Sequence, residues 1–220
     1  IYTYESLLKW GLNQTAVKQQ VFDGFEQKEN CRIEIEEFSD AGSALAKVIA
    51  EKDQPRGDII IGIDNVLIHE AKKFDILEPY QSPNTAFMNE SLINGLDPEY
   101  NIVPYDYGFI SFVYDKKRVN ETNFPEIKDL KLSDFVENPL LADLLVTEDP
   151  TISSTGLGFL MWTIGVYEKV LTDTDWESWW NSVKDHIQVE ASWGDAYNVF
   201  YEPAANRPIV VSYATDPAYN

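Results

Sequence analysis

A single cysteine, Cys31, in 220 residues leaves no partner for an internal disulfide and rules out a cysteine-rich zinc site. Oxidising and reducing compartments both stay open. Histidine is nearly as scarce, with only His69 and His186, so a histidine-rich metal site is disfavoured too. Basic residues are few: 17 against 37 acidic ones, a net charge of −20, and no basic group longer than Lys116-Lys117-Arg118. A nucleic-acid backbone would be repelled by that field. The acidic excess modestly favours cationic small molecules, although solubility alone accounts for such a balance. No apolar run reaches the ~18 residues needed to span a membrane. The chain opens on Ile1-Tyr2-Thr3-Tyr4 without an initiator Met or a charged-then-apolar leader, so any export signal would already have been removed.

Nucleotide and hydrolase signatures are missing as well. Neither GxGxxG nor GxxxxGK[ST] occurs, Gly156-Leu157-Gly158 is a fragment at a helix start, and there is no GxSxG elbow. Carboxylate pairs such as Glu36-Glu37 alternate with apolar residues and read as a solvated strand edge. Nothing argues for catalysis.

What is present is an ordinary globular composition, 44% hydrophobic and 13% aromatic, arranged as alternating strands and helices. A strand over Ile1–Tyr4 precedes a helix over Thr15–Glu29 with Val17, Val21, Phe22 and Phe25 on one side. Residues 31–38 alternate as a half-buried strand, and Asp40 stands as N-cap of the helix that follows. Asp58–Ile63 is apolar enough for a central strand, and Asn65–Lys73 reads as a helix. That βαβαβα order predicts a doubly wound parallel sheet. After a loop-rich stretch from Glu78 to Tyr100, a long strand is expected over Val103–Asp115, then a short helix near Ser133–Val136.

A second α/β set starts with a strand at Leu144–Val146. It runs into Ser153, Ser154 and Thr155 ahead of an apolar helix, where hydroxyls and free N–H groups suit an anion but equally make an ordinary cap. Thr174–His186 reads as a helix capped by Thr174, whose Trp176, Trp179 and Trp180 form a packing stripe. A short strand at Ile187–Val189 and a helix over Ser192–Tyr201 follow. The last segment, IVVSYATDPAYN, begins as a strand buried on both faces at Ile209–Val211 and changes abruptly to polar and aromatic residues around Pro217. Two tyrosines and a carboxylate at a strand's carboxyl end suit a flat cation; a strand and turn with surface tyrosines accounts for the same residues.

Several blocks carry a family resemblance: YTYES from Tyr2 with Trp10 after it, SDAGSAL around Asp40, GDIIIGIDN from Gly57, VPYDYGFISFVYDK from Val103, EDPTISSTGLGFLMW from Glu148, SWGDAY from Ser192 and SYATDPAY from Ser212. In this order they resemble the bilobal solute-binding proteins that serve ABC importers, and within them the thiamine-binding branch. The resemblance implies a two-lobe α/β fold of the type II periplasmic-binding kind, each lobe a mainly parallel sheet flanked by helices. It makes residues 1–107 an incomplete first lobe, 108–210 the second, and 211–220 a return crossing towards the first. The C-terminal part of the family fold is expected to be missing, since family members continue for roughly half as much again.

The resemblance also implies an extracytoplasmic monomer that captures thiamine, thiamine monophosphate or thiamine diphosphate in an interlobe cleft and hands it to an ABC transporter permease. It implies no cofactor, no metal, no nucleic acid, and a membrane met only through the permease or an anchor. Aromatics matching the family pocket are Tyr4, Trp10, Trp193, Tyr213 and Tyr219, able to sandwich a pyrimidine and a thiazolium. Asp40 matches the acid beside the aminopyrimidine, Ser153 and Ser154 the hydroxyls near the hydroxyethyl or phosphate end, and Ala41, Thr215 and Asp216 the backbone of one pocket wall. Asp216 departs from the small hydroxyl residue the family places there, an extra negative charge that would favour free thiamine over its phosphates, or a different cationic ligand. Closure is expected to hinge at Val103–Tyr114 and Ile209–Tyr213. Binding of ferric iron by tyrosines or of another small solute on the same fold, and a thiamine-metabolising enzyme, are the alternatives.

Overall fold

The computed structural model describes residues 1–8, 16, 18–170 and 175–218. The chain divides into two compact units, Ile1–Asp106 and Tyr107–Asn220.

Unit 1 is built on a short parallel ladder. Strand β1 (Tyr2–Tyr4) pairs in register with β2 (Glu36–Phe38), Tyr2 opposite Glu36 and Tyr4 opposite Phe38. The expected strand over 31–38 is therefore only its last three residues. Its partner β1 begins at Tyr2, and the Ile33 N–H turns instead to the Glu26 carboxylate at 2.6 Å. On the other edge of β1, Ile59 O and Ile61 N exchange hydrogen bonds with Tyr2, and a single parallel bridge joins Tyr2 to Ile60. The Asp58–Ile63 strand is thereby corrected to one bridge. Gly62, at φ +118°, leaves extended geometry directly after Ile61, and Ile59 is 55% exposed rather than central.

The helical stretch after β1 closes as π turns over Gln19–Asp23 and continues as α1 (Gly24–Glu29). Thr15 and Val17 of the expected helix lie outside the described residues, and its Val21 and Phe25 are each 54% exposed instead of packed. Helix α2 (Ala41–Ala50) buries Ala41, Ala44 and Leu45. Helix α3 (Leu67–Lys73) starts two residues later than the sequence suggests, because the Asp64 carboxylate receives the Val66 and Leu67 N–H groups and fixes the turn there. Helix α4 (Glu90–Leu96), capped by Asn89, lies within the loop-rich stretch.

Unit 2 holds a four-stranded sheet. Its strands are β3 (Ile110–Tyr114), β4 (Leu145–Glu148), β5 (Gln188–Glu190) and β6 (Ile209–Tyr213), in the spatial order β3-β6-β4-β5. β6 runs parallel to β4 and antiparallel to β3, and β4 runs parallel to β5. The expected strand from Val103 starts at Ile110 because its ladder partner ends at Tyr213, opposite Ile110. Tyr105 and Tyr107, with no strand beside them, are 57% and 69% exposed.

The alternation along β6 sorts two cores. Ile209 and Val211 face a cluster with Leu145, Phe159 and Trp179, supplied by α5 (Leu132–Glu137), α6 (Pro139–Ala142), α7 (Ser154–Lys169) and α8 (Trp176–Val183). Val210 faces the opposite way, onto Val146 and the Ala196, Tyr197 and Phe200 face of α9 (Trp193–Tyr201). Helices thus cover both faces, which is why Ile209, Val210 and Val211 are all fully buried. The tryptophan stripe packs as expected: Trp179 is 1% exposed and donates its indole N–H to the Leu132 carbonyl at 2.7 Å. Asp175 caps α8, while the expected cap Thr174 lies outside the described residues.

Candidate ligand-binding site

In unit 2, β6, β4 and β5 are parallel, so their carboxyl ends share one edge of the sheet. The register pairs Leu145 with Ile209, Val146 with Val210, and Glu148 with Glu190, which brings Ser212, Glu148 and Glu190 level with one another. Each strand then runs into a segment that holds residues expected at the site: Tyr213 to Asp216, Ser153 and Ser154, and Trp193 after Ser192. Crevices at the carboxyl ends of parallel strands are where open α/β sheets hold ligands.

The residues at that edge are tightly connected. Ser192 caps α9, accepting the Asp195 N–H at 3.2 Å and donating its hydroxyl to the Asp195 carboxylate at 2.7 Å. That start places Trp193 and Tyr197 four residues apart on one helix face, with ring centroids 4.5 Å apart. The half-buried Trp193 donates its indole N–H to the Ser212 hydroxyl at 2.8 Å. Ser212 in turn hydrogen-bonds the Asp216 carboxylate, which also accepts the Tyr197 hydroxyl at 2.5 Å. Burial, reinforced by the bond to Asp216, pushes the Tyr197 phenol far above its ordinary range, against a smaller lowering by Ser212.

Helix α7 opens at Ser153, whose hydroxyl pairs with that of Thr155 at 2.8 Å instead of capping the helix, and Ser153 is buried. Its first turn sits hard against β4: a Cβ on Gly156 would lie 2.4 Å from the Glu148 carbonyl oxygen. Ser154 follows as the first residue of the helix. The Tyr213 ring packs over Gly108, and Thr215 is exposed in the turn.

Unit 1 gathers a second group. Asp40 caps α2, its carboxylate accepting the Ala41 N–H at 2.8 Å, and is 7% exposed. Gly62 separates Ala41 from the Tyr4 ring; a Cβ there would be 2.7 Å from Tyr4 Cδ1 and 3.0 Å from Ala41 Cβ. The Tyr4 hydroxyl meets the Tyr105 hydroxyl at 2.6 Å. Burial, with the charges of Asp106 and Asp40, holds the Tyr4 phenol above its ordinary range, and the bond with Tyr105 partly offsets this. Burial likewise raises the Asp106 carboxyl.

The structure therefore brings Tyr4, Asp40 and Ala41 together in unit 1, and Trp193, Asp216 and Tyr213 with the Ser153–Ser154 helix start at one sheet edge in unit 2. Trp10 and Tyr219 lie outside the described residues. Tyr105, Tyr197 and Ser212 were not singled out from sequence, although each sits inside a quoted block. A depression of about 520 Å³ in unit 1, lined by Gln81, Thr85, Met88 and Tyr100 among others, includes none of the expected residues. Among the described residues no cluster of three or more His, Cys, Asp and Glu is arranged to hold a metal, and no helix is long and apolar enough to cross a membrane.

This arrangement is that of a solute-binding protein. Residues 55–196 match the family described as bacterial extracellular solute-binding protein, and the chain belongs to that family, whose place is extracytoplasmic. Within it, the chain is 30% identical over 222 residues to the thiamine-binding periplasmic protein of Escherichia coli (strain K12), covering 100% of this chain and 61% of that protein. The thiamine-binding periplasmic protein of Brucella abortus biovar 1 (strain 9-941) is 30% identical over 221 residues, with 100% and 60% covered. A solved periplasmic thiamin binding protein superposes with a TM-score of 0.75 at 27% identity, over 99% of this chain and 62% of that one. The chain thus spans about three-fifths of the length of the relatives it matches.

Proposed function

We propose that the chain belongs to an extracytoplasmic solute-binding protein that captures thiamine or one of its phosphates and delivers it to an ABC importer. The observation that carries this reading is the half-buried Trp193 indole, whose N–H bonds Ser212 at the carboxyl end of β6, where an aromatic ring would stack on a cationic heterocycle. Tyr213 adds a second aromatic at the same strand end, and Tyr4 with Asp40 supplies a ring and a carboxylate from unit 1. Trp10, Thr215 and Tyr219, with the backbone around Ala41 and Asp216, complete the proposed set, and the hydroxyl residues Ser153 and Ser154 at the start of α7 are the proposed contacts of the hydroxyethyl or phosphate end.

The role needs no cofactor: binding and release are the whole activity, and closure follows from tighter binding of ligand to the closed form. The partners are the small ligand and the permease, and the protein acts as a monomer. Ferric iron on this fold would call for free tyrosinates, whereas the Tyr4 hydroxyl is paired with that of Tyr105 and the Tyr197 hydroxyl donates to Asp216. An enzyme on this fold would need a nucleophile, and the only thiol in the sequence, Cys31, is exposed two residues after the end of α1.

Titration calorimetry of the intact-length protein with thiamine, thiamine monophosphate and thiamine diphosphate tests the reading. Binding of at least one is expected. Binding of none overturns the vitamin assignment, a coloured complex with ferric iron would replace it with the iron reading, and release of free thiazole from thiamine would make the protein an enzyme.

A further inference from the structure

We infer that Asp216 is a positioning residue that sets the plane of the Trp193 indole through Ser212, and that it does not serve as a counter-charge to the ligand. The inference rests on the reading of Trp193 as a stacking ring and deepens it.

The chemistry of the four groups sets the direction of each bond. An indole N–H can only donate and an ionised carboxylate can only accept. Ser212, with one hydroxyl proton, accepts from Trp193 and donates that proton to the Asp216 carboxylate. Tyr197 sends its own proton to the same carboxylate oxygen, Oδ2. With Asp216 ionised, the Ser212 lone pair faces the indole. Without that acceptor, the serine hydroxyl is at liberty to rotate its proton towards the indole N–H and lose the bond.

The groups in this chain of bonds are anchored in secondary structure. Ser212 is fully buried and pinned in the β3–β6 ladder opposite Ser111, and Trp193 and Tyr197 share one face of α9. Asp216 opens the 3-10 turn Asp216–Ala218, so its carboxylate ties that turn to both β6 and α9. At 7% exposure, and with two hydroxyls on one oxygen, Asp216 spends its charge inside unit 2. Its effect on a ligand is then carried by the ring it orients, and is blind to whether that ligand bears a phosphate.

The test uses the full chain with Asp216→Asn and Ser212→Ala. Two readouts are taken: the indole N–H proton resonance of Trp193, assigned by its disappearance in Trp193→Phe, in ligand-free protein, and calorimetric affinity for thiamine and for thiamine monophosphate. Both variants are expected to shift that resonance and to weaken the two ligands by the same factor, about tenfold for loss of one oriented hydrogen bond. An unmoved resonance in Asp216→Asn overturns the inference, as does loss of thiamine affinity with thiamine monophosphate affinity kept or increased, which is the signature of a counter-charge. If Asp216→Asn fails to fold, Ser212→Ala decides by the same two readouts. If the wild-type protein binds neither ligand, the functional reading fails, and the resonance shift alone still decides whether Asp216 orients Trp193.

Discussion

In unit 1 the Lys72 ammonium reaches the Asp97 carboxylate at 2.8 Å, tying helix α3 to the turn that follows α4. Asp97 is 2% exposed and also accepts the Asn101 backbone and side-chain N–H groups at 2.6 and 2.9 Å. Burial alone would raise its carboxyl, but Lys72 and these donors outweigh it and bring it down to about 2. A carboxyl depressed on folding stabilises the native state above its unfolded value near 4 and loses that contribution as pH falls through the folded value. Asp97→Asn is therefore expected to cost on the order of 1 kcal/mol at pH 7, after allowing for solvent screening, and much less at pH 2, where the carboxyl is partly protonated in the folded protein too. Urea unfolding at the two pH values checks this, and an equal cost at both would contradict it.

The indole of Trp179 closes the larger core of unit 2, edge-on to Phe159 at 5.8 Å and to Trp180 at 5.1 Å. Trp179→Ala removes the ring and leaves the Leu132 carbonyl without its donor, so a loss of about 3–5 kcal/mol is expected. Trp179→Phe should cost clearly less. Denaturant titration of the pair measures the difference.

The Trp176–Trp180 stripe and the β6 strand were both legible in the sequence, for one reason. Helical spacing of large rings, and a run of Ile-Val-Val, each state their own burial without reference to the rest of the chain. Asp58–Ile63 has the same apolar run but was misleading, because its partner β1 is three residues long and Gly62 breaks the extended backbone. Composition does not report the length of a strand's neighbour. The same limit governs the site. The resemblance picked out Trp193 and Asp216 singly, whereas the bonds that join them run through Ser212, 19 residues from Trp193, and Tyr4 meets Tyr105 across 101 residues. Asp40 could be read from sequence because helix capping is local.

Two glycines of α7 make a matched comparison. A Cβ on Gly156 would strike the Glu148 backbone oxygen at 2.4 Å, and no side chain can rotate away to relieve it. Gly156→Ala must push α7 off the end of β4, at about 1–3 kcal/mol. A Cβ on Gly165, nine residues further along the same helix, meets nothing within 4 Å. Gly165→Ala should stabilise by about 0.5–1 kcal/mol through the lower entropy of the unfolded chain and better helix propensity. Thermal unfolding of the two variants should move in opposite directions; a shift of the same sign would mean that contact with β4 does not fix the start of α7.

Asp40 has an observed role as helix cap and a proposed one as counter-charge to the ligand, and one substitution can pull them apart. As N-cap it accepts the Ala41 N–H, a task that asparagine performs about as well, whereas answering a thiazolium or aminopyrimidinium requires the negative charge. Asp40→Asn is expected to change stability by no more than about 0.5 kcal/mol while weakening thiamine about tenfold. Asp40→Ala should lose the cap as well, at about 1 kcal/mol, with a similar loss of affinity. Thermal unfolding and calorimetry on the same samples separate the two effects. If Asp40→Asn binds thiamine as tightly as the wild type, the carboxylate is a helix cap alone, and the charge that selects a cation must be sought on another side chain such as Asp106, whose raised carboxyl stands near the Tyr4 phenol.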